Sequence, residues 1–233
     1  MGDNLWKARD ANPMGFFEDR EINEINEDLL EPVVPKRWQL FGKIFFQHNP
    51  LKWHRWLAVL PPDVAISPAP PLVERIKKIV QNQPYCLKDP RFSYTLPAWE
   101  PFLNNTVYIC VFRDPGSTAS SIHKECLEVP HLVHPETGIK MTIKQALKVW
   151  THMYLPILST HRHHGDWLFL HYNQVLTSEG MDKLEEFTGA KIDRSFPTAK
   201  LSRSKPIGEI PKKSMAVYRE LCKLSGYQDI GAR

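Results

Sequence analysis

The fold of this chain turns on Val107-Tyr108-Ile109-Cys110-Val111-Phe112-Arg113-Asp114-Pro115-Gly116-Ser117-Thr118-Ala119-Ser120-Ser121. Residues 107 to 112 are an unbroken apolar run dominated by β-branched and aromatic types. Such a run suits a strand buried on both faces of a parallel sheet. The charged pair Arg113-Asp114 ends it, and Pro115-Gly116 reads as a turn. A helix is expected to start at Ser117 or Thr118, with either hydroxyl as N-cap. A cation at the carboxyl end of a strand, facing a new helix N-terminus, is a favourable setting for an anion. The same residues also suit an ordinary strand–turn–helix with Arg113 and Asp114 solvated and Ser121 a small packing residue.

Upstream, Asn12-Pro13-Met14-Gly15-Phe16-Phe17-Glu18-Asp19 leads into a predicted helix from about Asp19 to Leu30, with Ile22, Ile25, Leu29 and Leu30 on one face. Residues 31 to 70 interleave Lys36, Arg37, Lys43, Lys52 and Arg55 with Trp38, Phe41, Phe45, Phe46, Trp53 and Trp56. They suit nucleic-acid binding, an amphipathic segment touching a membrane surface, or, as the preferred reading, a Pro-flanked helical excursion whose basic stems lie along apolar surface and wall an acceptor pocket. A helix from Leu72 to Gln83 and a short strand, Tyr85 to Leu87, lead to Lys88-Asp89-Pro90-Arg91, and a further helix runs from Arg91 to Leu103. Arg91 is placed either to bind an anionic acceptor group or to hold Asp89. Lys88, Asp89 and Arg91 also suit a surface salt-bridge cluster.

Downstream, the helix after the central motif is expected to reach about Leu127, and Pro130 to Gly138 is a loop placed to cover a ligand. Thr142-Ile143-Lys144-Gln145 is a capping-box start. The helix it opens carries Ile143, Ala146, Leu147, Trp150, Tyr154 and Leu158 at helical spacing, with Pro156 as a kink. His161-Arg162-His163-His164 reads as positive charge at the end of that helix rather than a metal site. A buried strand from Trp167 to Tyr172, a helix from Tyr172-Asn173 to about Thr188, a basic loop Leu201 to Pro206 and a helix Lys212 to Leu224 complete the chain.

Arg-Asp-Pro with a helical serine eight positions beyond the arginine resembles the 3'-phosphate-binding motif of the sulfotransferases. That family moves a sulfuryl group from 3'-phosphoadenosine 5'-phosphosulfate to a hydroxyl or amine. The pairing is chemically apt, because a guanidinium forks onto phosphate oxygens and a hydroxyl adds one hydrogen bond. The Asn-Pro-x-Gly-Phe-Phe-Glu phrase and the Lys-Asp-Pro-Arg phrase resemble one branch of the same family, and the resemblance covers roughly residues 10 to 206. It implies a three-layer α/β/α domain with a parallel sheet, of the P-loop nucleotide-kinase-like sulfotransferase type, over residues 1–233. Within it, Arg113 and Ser121 would hold the 3'-phosphate. Glu18 would act as general base towards the acceptor, and Lys88 would neutralise charge on the transferring group. Arg203 and Lys205, in a late basic loop, would close over the nucleotide. Glu18 and Asp19 equally suit the cap of the first helix.

The sequence departs from the family pattern at its start. The opening strand, phosphate loop and helix that bind the 5'-phosphosulfate are missing, and the Asn12-Pro13 phrase stands almost at the N-terminus. The expectation is a truncated form of a full enzyme with compromised activity, or else a degenerate binding protein. Losing that strand would leave neighbouring backbone groups unpaired, which rearrangement, self-association or a partner chain would have to remedy.

Composition sets the outer bounds. The 233 residues carry a net charge of +4, 42% hydrophobic and 24% charged residues, 20 prolines and 11 glycines. This suits one mildly basic globular domain with an anionic ligand, and is too little charge to argue for nucleic acid. No stretch reads as a signal or membrane-spanning segment. Of the four cysteines, Cys86 and Cys110 are assigned to buried strands and Cys126 to a helix. Their spacing fits no metal framework, so reduced thiols in a cytoplasmic setting are expected, with no metal. Two rivals remain: a non-catalytic nucleotide-binding or interaction protein on the same scaffold, and a nucleic-acid-binding module using residues 36–56.

Overall fold

A computed structural model describes residues 4–7, 15–36, 49–132, 139–195 and 209–228. The chain is α/β, mostly helical, around a small parallel sheet. Helices α1 (Arg20–Leu30), α2 (Pro70–Val80) and α3 (Phe92–Trp99) come first. Strand β1 (Val107–Phe112) and helices α4 (Pro115–Leu132) and α5 (Ile143–Ser159) follow. Strand β2 (Asp166–His171) precedes α6 (Tyr172–Val175), α7 (Ser178–Thr188) and α8 (Lys212–Ser225). Strands β1 and β2 pair in parallel, with Val107 opposite Asp166 and Phe112 opposite His171.

The apolar periodicity of the sequence accounts for the packing. Ile22, Ile25 and Leu29 of α1 meet Ile76 and Val80 of α2 and Ala98 and Trp99 of α3 in one cluster. One face of the sheet, through Cys110, Phe112 and Phe169, packs against Trp150 and Leu158 of α5 and Val217, Tyr218 and Leu221 of α8. Helices α4 and α5 pack on each other through Ala119, Ile122, Cys126, Ala146, Leu147 and Val149. Helix α5 begins with the expected capping box between Thr142 and Gln145. Just before β2, Gly165 has φ +71 and lies so close to the Tyr108 ring that a Cβ there would fall 2.6 Å from its Cε2. Only glycine meets both conditions without strain.

The expectation for β1 is corrected on one face. Val107, Ile109 and Val111 are 38%, 40% and 48% exposed, while Cys110 and Phe112 are buried. Their paired residues on β2 run from exposed Asp166 to buried Leu170, so the cover on that face is confined to the carboxyl end of β2. Tyr85 to Leu87 is no strand, and Cys86 is exposed. A strand needs a ladder partner, and the sheet of the described residues holds β1 and β2 alone. Tyr85 instead bonds through its hydroxyl to the Asn104 carbonyl and to Thr106.

Three further boundaries differ from expectation. Pro115 and Gly116 open α4 rather than forming a turn, because Asp114 caps the helix: its Oδ1 accepts the Ser117 N–H at 2.6 Å. The segment after β2 is two helices, with Thr177 capping α7 through a bond from the Gly180 N–H. In the excursion, residues 49–69 hold only a 3-10 turn, Arg55–Leu57, in keeping with five prolines between 61 and 71 that remove helix donors. No helix among the described residues is long and apolar enough to cross a membrane.

Candidate active site

Glu18 and Lys88 are 70 positions apart in sequence and meet in space, with Lys88 Nζ 2.6 Å from Glu18 Oε1. Lys88 Nζ also donates to the Phe16 carbonyl at 2.9 Å. The Glu18 side chain is 12% exposed and that of Lys88 is 51% exposed, so the pair has one buried and one open member. Phe17, between the two acceptors, has φ 52. That left-handed turn costs a non-glycine residue about 1–2 kcal/mol, and such strain concentrates where geometry serves function. The capping role belongs to Asp19, whose side chain accepts the Glu21 N–H, so Glu18 is left for another role.

Behind the pair lies a buried ionic network. Asp89, next to Lys88, accepts from the Arg91 N–H and from Arg91 Nη1 on one oxygen. Its other oxygen accepts from Asn23 at 2.7 Å and Asn26 at 3.0 Å. Arg91 Nε donates to Glu27 at 2.7 Å, and its Nη2 reaches the Trp53 carbonyl. Arg55 approaches Glu27 from the other side through its N–H and Nη1. Asn26 Oδ1 accepts from Thr95 and Trp99. Asp89, Arg91, Asn26 and Glu27 are all buried. Burial opposes the Arg91 charge, but Asp89 and Glu27 outweigh it and hold the guanidinium above its ordinary range.

This geometry decides the reading of Arg91. Its guanidinium is committed inside the protein, so it holds Asp89 and Glu27 and does not present itself to an acceptor. The surface-cluster reading also fails for Asp89 and Arg91, which are 7% and 4% exposed. Sequence reasoning missed Asn23, Asn26 and Glu27, and the pairing of Arg55 with Glu27. A signal was there for Asn26 and Asn23, which stand within and at the edge of the apolar stripe of Ile22, Ile25, Leu29 and Leu30, where solvated polar residues do not belong.

Arg113 is half-buried at the carboxyl end of β1, its guanidinium 5.2 Å from the Tyr172 ring centroid. The helix N-terminus beside it is already served by an anion, the Asp114 carboxylate. Ser121 is exposed on α4, about 9 Å along the helix axis from Pro115, and its side chain makes no hydrogen bond among the described residues. Arg203, Lys205, Asn12 and most of the loop from Pro130 to Gly138 lie outside the described residues.

The remaining candidates resolve differently. Of the basic excursion, Arg55 is tied to Glu27 and Glu31, and Lys52 to Asp28, while Arg37 to His48 lie outside the described residues. His161 is buried with Nε2 on the Ser93 carbonyl, and burial lowers its pKa. It tethers the end of α5 to α3. All four cysteines are free thiols, with burial pushing Cys110 to about 12 and Cys126 to about 11. A cleft of about 430 Å³ lined by Lys77, Gln81, Gln83, Phe102 and Asn104 contains none of the candidate residues.

A scan against models of protein families and searches of curated proteins and of solved structures found no match to this chain.

Proposed function

We propose that the chain has a sulfotransferase-type fold and binds 3'-phosphoadenosine 5'-phosphosulfate as sulfuryl donor, with a hydroxyl or amine as acceptor. The observation that carries this reading is the meeting of Glu18 with Lys88. The two come from separate motifs to which the resemblance gives roles in one reaction, and their contact supports that pairing of roles. In the proposed step Glu18 takes the acceptor proton as the acceptor atom bonds to sulfur. The bond between sulfur and the bridging oxygen breaks, and 3'-phosphoadenosine 5'-phosphate leaves with its new charge beside Lys88. Arg113 and Ser121 hold the 3'-phosphate and thereby the reacting geometry. The proposal includes a reducing, cytoplasmic setting, which the four free thiols support.

Thermal unfolding tests the reading without knowledge of the acceptor. A ligand at a hundred times its Kd stabilises by about 2.7 kcal/mol. 3'-Phosphoadenosine 5'-phosphate is expected to raise the melting temperature, while adenosine 5'-phosphate, lacking the 3'-phosphate, leaves it almost unchanged. Equal shifts with both would remove Arg113 and Ser121 from the site. A second reading, a non-catalytic protein on this scaffold, is favoured by the uncovered Val107, Ile109 and Val111. Absence of any nucleotide effect on a folded chain would select it.

A further inference from the structure

The Glu18–Lys88 pair is assembled from two segments with no backbone–backbone hydrogen bond between them among the described residues. Glu18 stands before α1, in a segment that folds back on residues 4–7: Trp6 N–H donates to the Glu18 carbonyl at 3.1 Å, and Arg20 N–H donates to the Asn4 carbonyl at 3.0 Å. Lys88 stands before the Asp89-Pro90-Arg91 turn. One buried side chain touches both the turn after Lys88 and the Trp6 segment on which Glu18 rests. Asn23, 3% exposed, donates from Nδ2 to Asp89 Oδ2 at 2.7 Å and accepts on Oδ1 from Trp6 Nε1 at 2.6 Å.

We propose that Asn23 is the positioning residue of the Glu18–Lys88 pair: its amide pins the Lys88 turn and the Trp6 segment to one point of α1, so that carboxylate and ammonium meet. The chemistry requires an amide. A carboxylate at this position would lose the donor and face Asp89 with like charge, and an aliphatic side chain would lose both bonds. Asn26 does not duplicate the role, because its Nδ2 reaches Asp89 but its Oδ1 points to Thr95 and Trp99 on α3. Trp6 is further fixed by Trp53, edge-on at 5.8 Å, and by the Arg20 guanidinium at 4.7 Å from its ring. The residue 6 end is therefore anchored, and Asn23 passes that anchorage to the turn carrying Lys88.

The role acquires catalytic meaning only through the function proposed above, but its test needs no turnover. The measurement is the rate at which acetic anhydride acylates Lys88, followed by mass spectrometry, with Lys77 as internal reference. Lys77 is paired with Glu74 on α2, away from the network. In the native chain the Lys88 amine must leave two oxygen acceptors to react. Asn23→Ala is expected to raise the Lys88 rate about fivefold, equivalent to about 1 kcal/mol of lost coupling, with Lys77 unchanged. Thr95→Val, which damages the same network on its α3 side, is expected to lower stability without changing the Lys88 rate. In a Glu18→Gln background, where the pair is already broken, Asn23→Ala is expected to add nothing. An unchanged Lys88 rate in Asn23→Ala, an equal rise in Thr95→Val, or full additivity with Glu18→Gln would each overturn the assignment. Should Asn23→Ala fail to fold, Asn23→Ser, which keeps a small donor, takes its place with the same expected order. Loss of nucleotide binding would remove the transfer reading and leave this result standing. Nucleotide binding with an unchanged Lys88 rate would remove Asn23 alone.

Discussion

On the inner face of α1, Glu27 meets Arg91 at 2.7 Å and Arg55 at 3.3 Å, with the Glu27 and Arg91 side chains 0% and 4% exposed. On its outer face Glu21, Glu24 and Asp28 share Arg75 at 2.7, 3.0 and 3.2 Å, with side chains 28% to 44% exposed. The residue types and distances match, and the surroundings differ. Charges in water gain little from pairing, since solvent screens them and two long side chains lose freedom. Charges removed from water need their partners, because an orphaned buried charge costs several kcal/mol. The inner network therefore ties α1 to the Lys88 turn at high cost of failure, whereas the outer one joins α1 to α2 at the surface, where failure costs little.

The largest expected effect is that of Arg91→Ala. It strands Glu27 and Asp89 in the interior, and urea unfolding should show a loss of about 3–5 kcal/mol. A loss below 1 kcal/mol would erase the distinction between the two faces. Next comes Lys88→Ala. Lys88 is half-exposed, so its removal should cost less than about 1 kcal/mol of stability, while donor turnover, once an acceptor is found, should fall about a hundredfold. A large loss of stability with unaltered turnover would return Lys88 to a structural role.

A pH effect separates the interior from the surface in another way. Burial lowers the pKa of His161, and also that of His152, which sits on the Leu60 carbonyl. The unfolded chain therefore takes up protons first as pH falls. Stability should begin to drop near the unfolded value of about 6.5 and continue down to the folded values. His161→Gln should flatten that slope when unfolding is followed between pH 7.5 and 5 in steps of about half a unit, and an unchanged slope would contradict the assignment. The smallest effect belongs to Arg75→Ala. It should cost under about 1 kcal/mol, and the cost should shrink further in 0.5 M salt, roughly three times physiological ionic strength.

Local patterns were legible where backbone chemistry is local. Asp19 before an apolar stripe, Thr142 with Gln145, and the run from Val107 to Phe112 each predict their element from neighbours alone. The start of α4 was misread because Ser117 and Thr118 are good caps in general, while Asp114, three residues before Ser117, holds the bond. Whether Tyr85 to Leu87 becomes a strand depends on a ladder partner elsewhere in the chain, and an apolar stretch does not reveal it. Glu18 and Lys88 were named separately from their motifs, yet their contact spans 70 positions and no periodicity encodes it. Asn23 and Asn26 were visible as polar residues on or beside an apolar face, but the partner that explains them, Asp89, stands 66 and 63 positions away, and Asp89 and Arg91 also suited a surface cluster. Burial is a property of the assembled fold, and it decided the roles of the charged residues.

The most direct test of the central claim is calorimetric titration of the chain with 3'-phosphoadenosine 5'-phosphate, repeated for Arg113→Ala. The account predicts saturable one-site binding by the native chain that is lost in the variant. A folded native chain that takes up no nucleotide, or a variant that binds equally well, would contradict it.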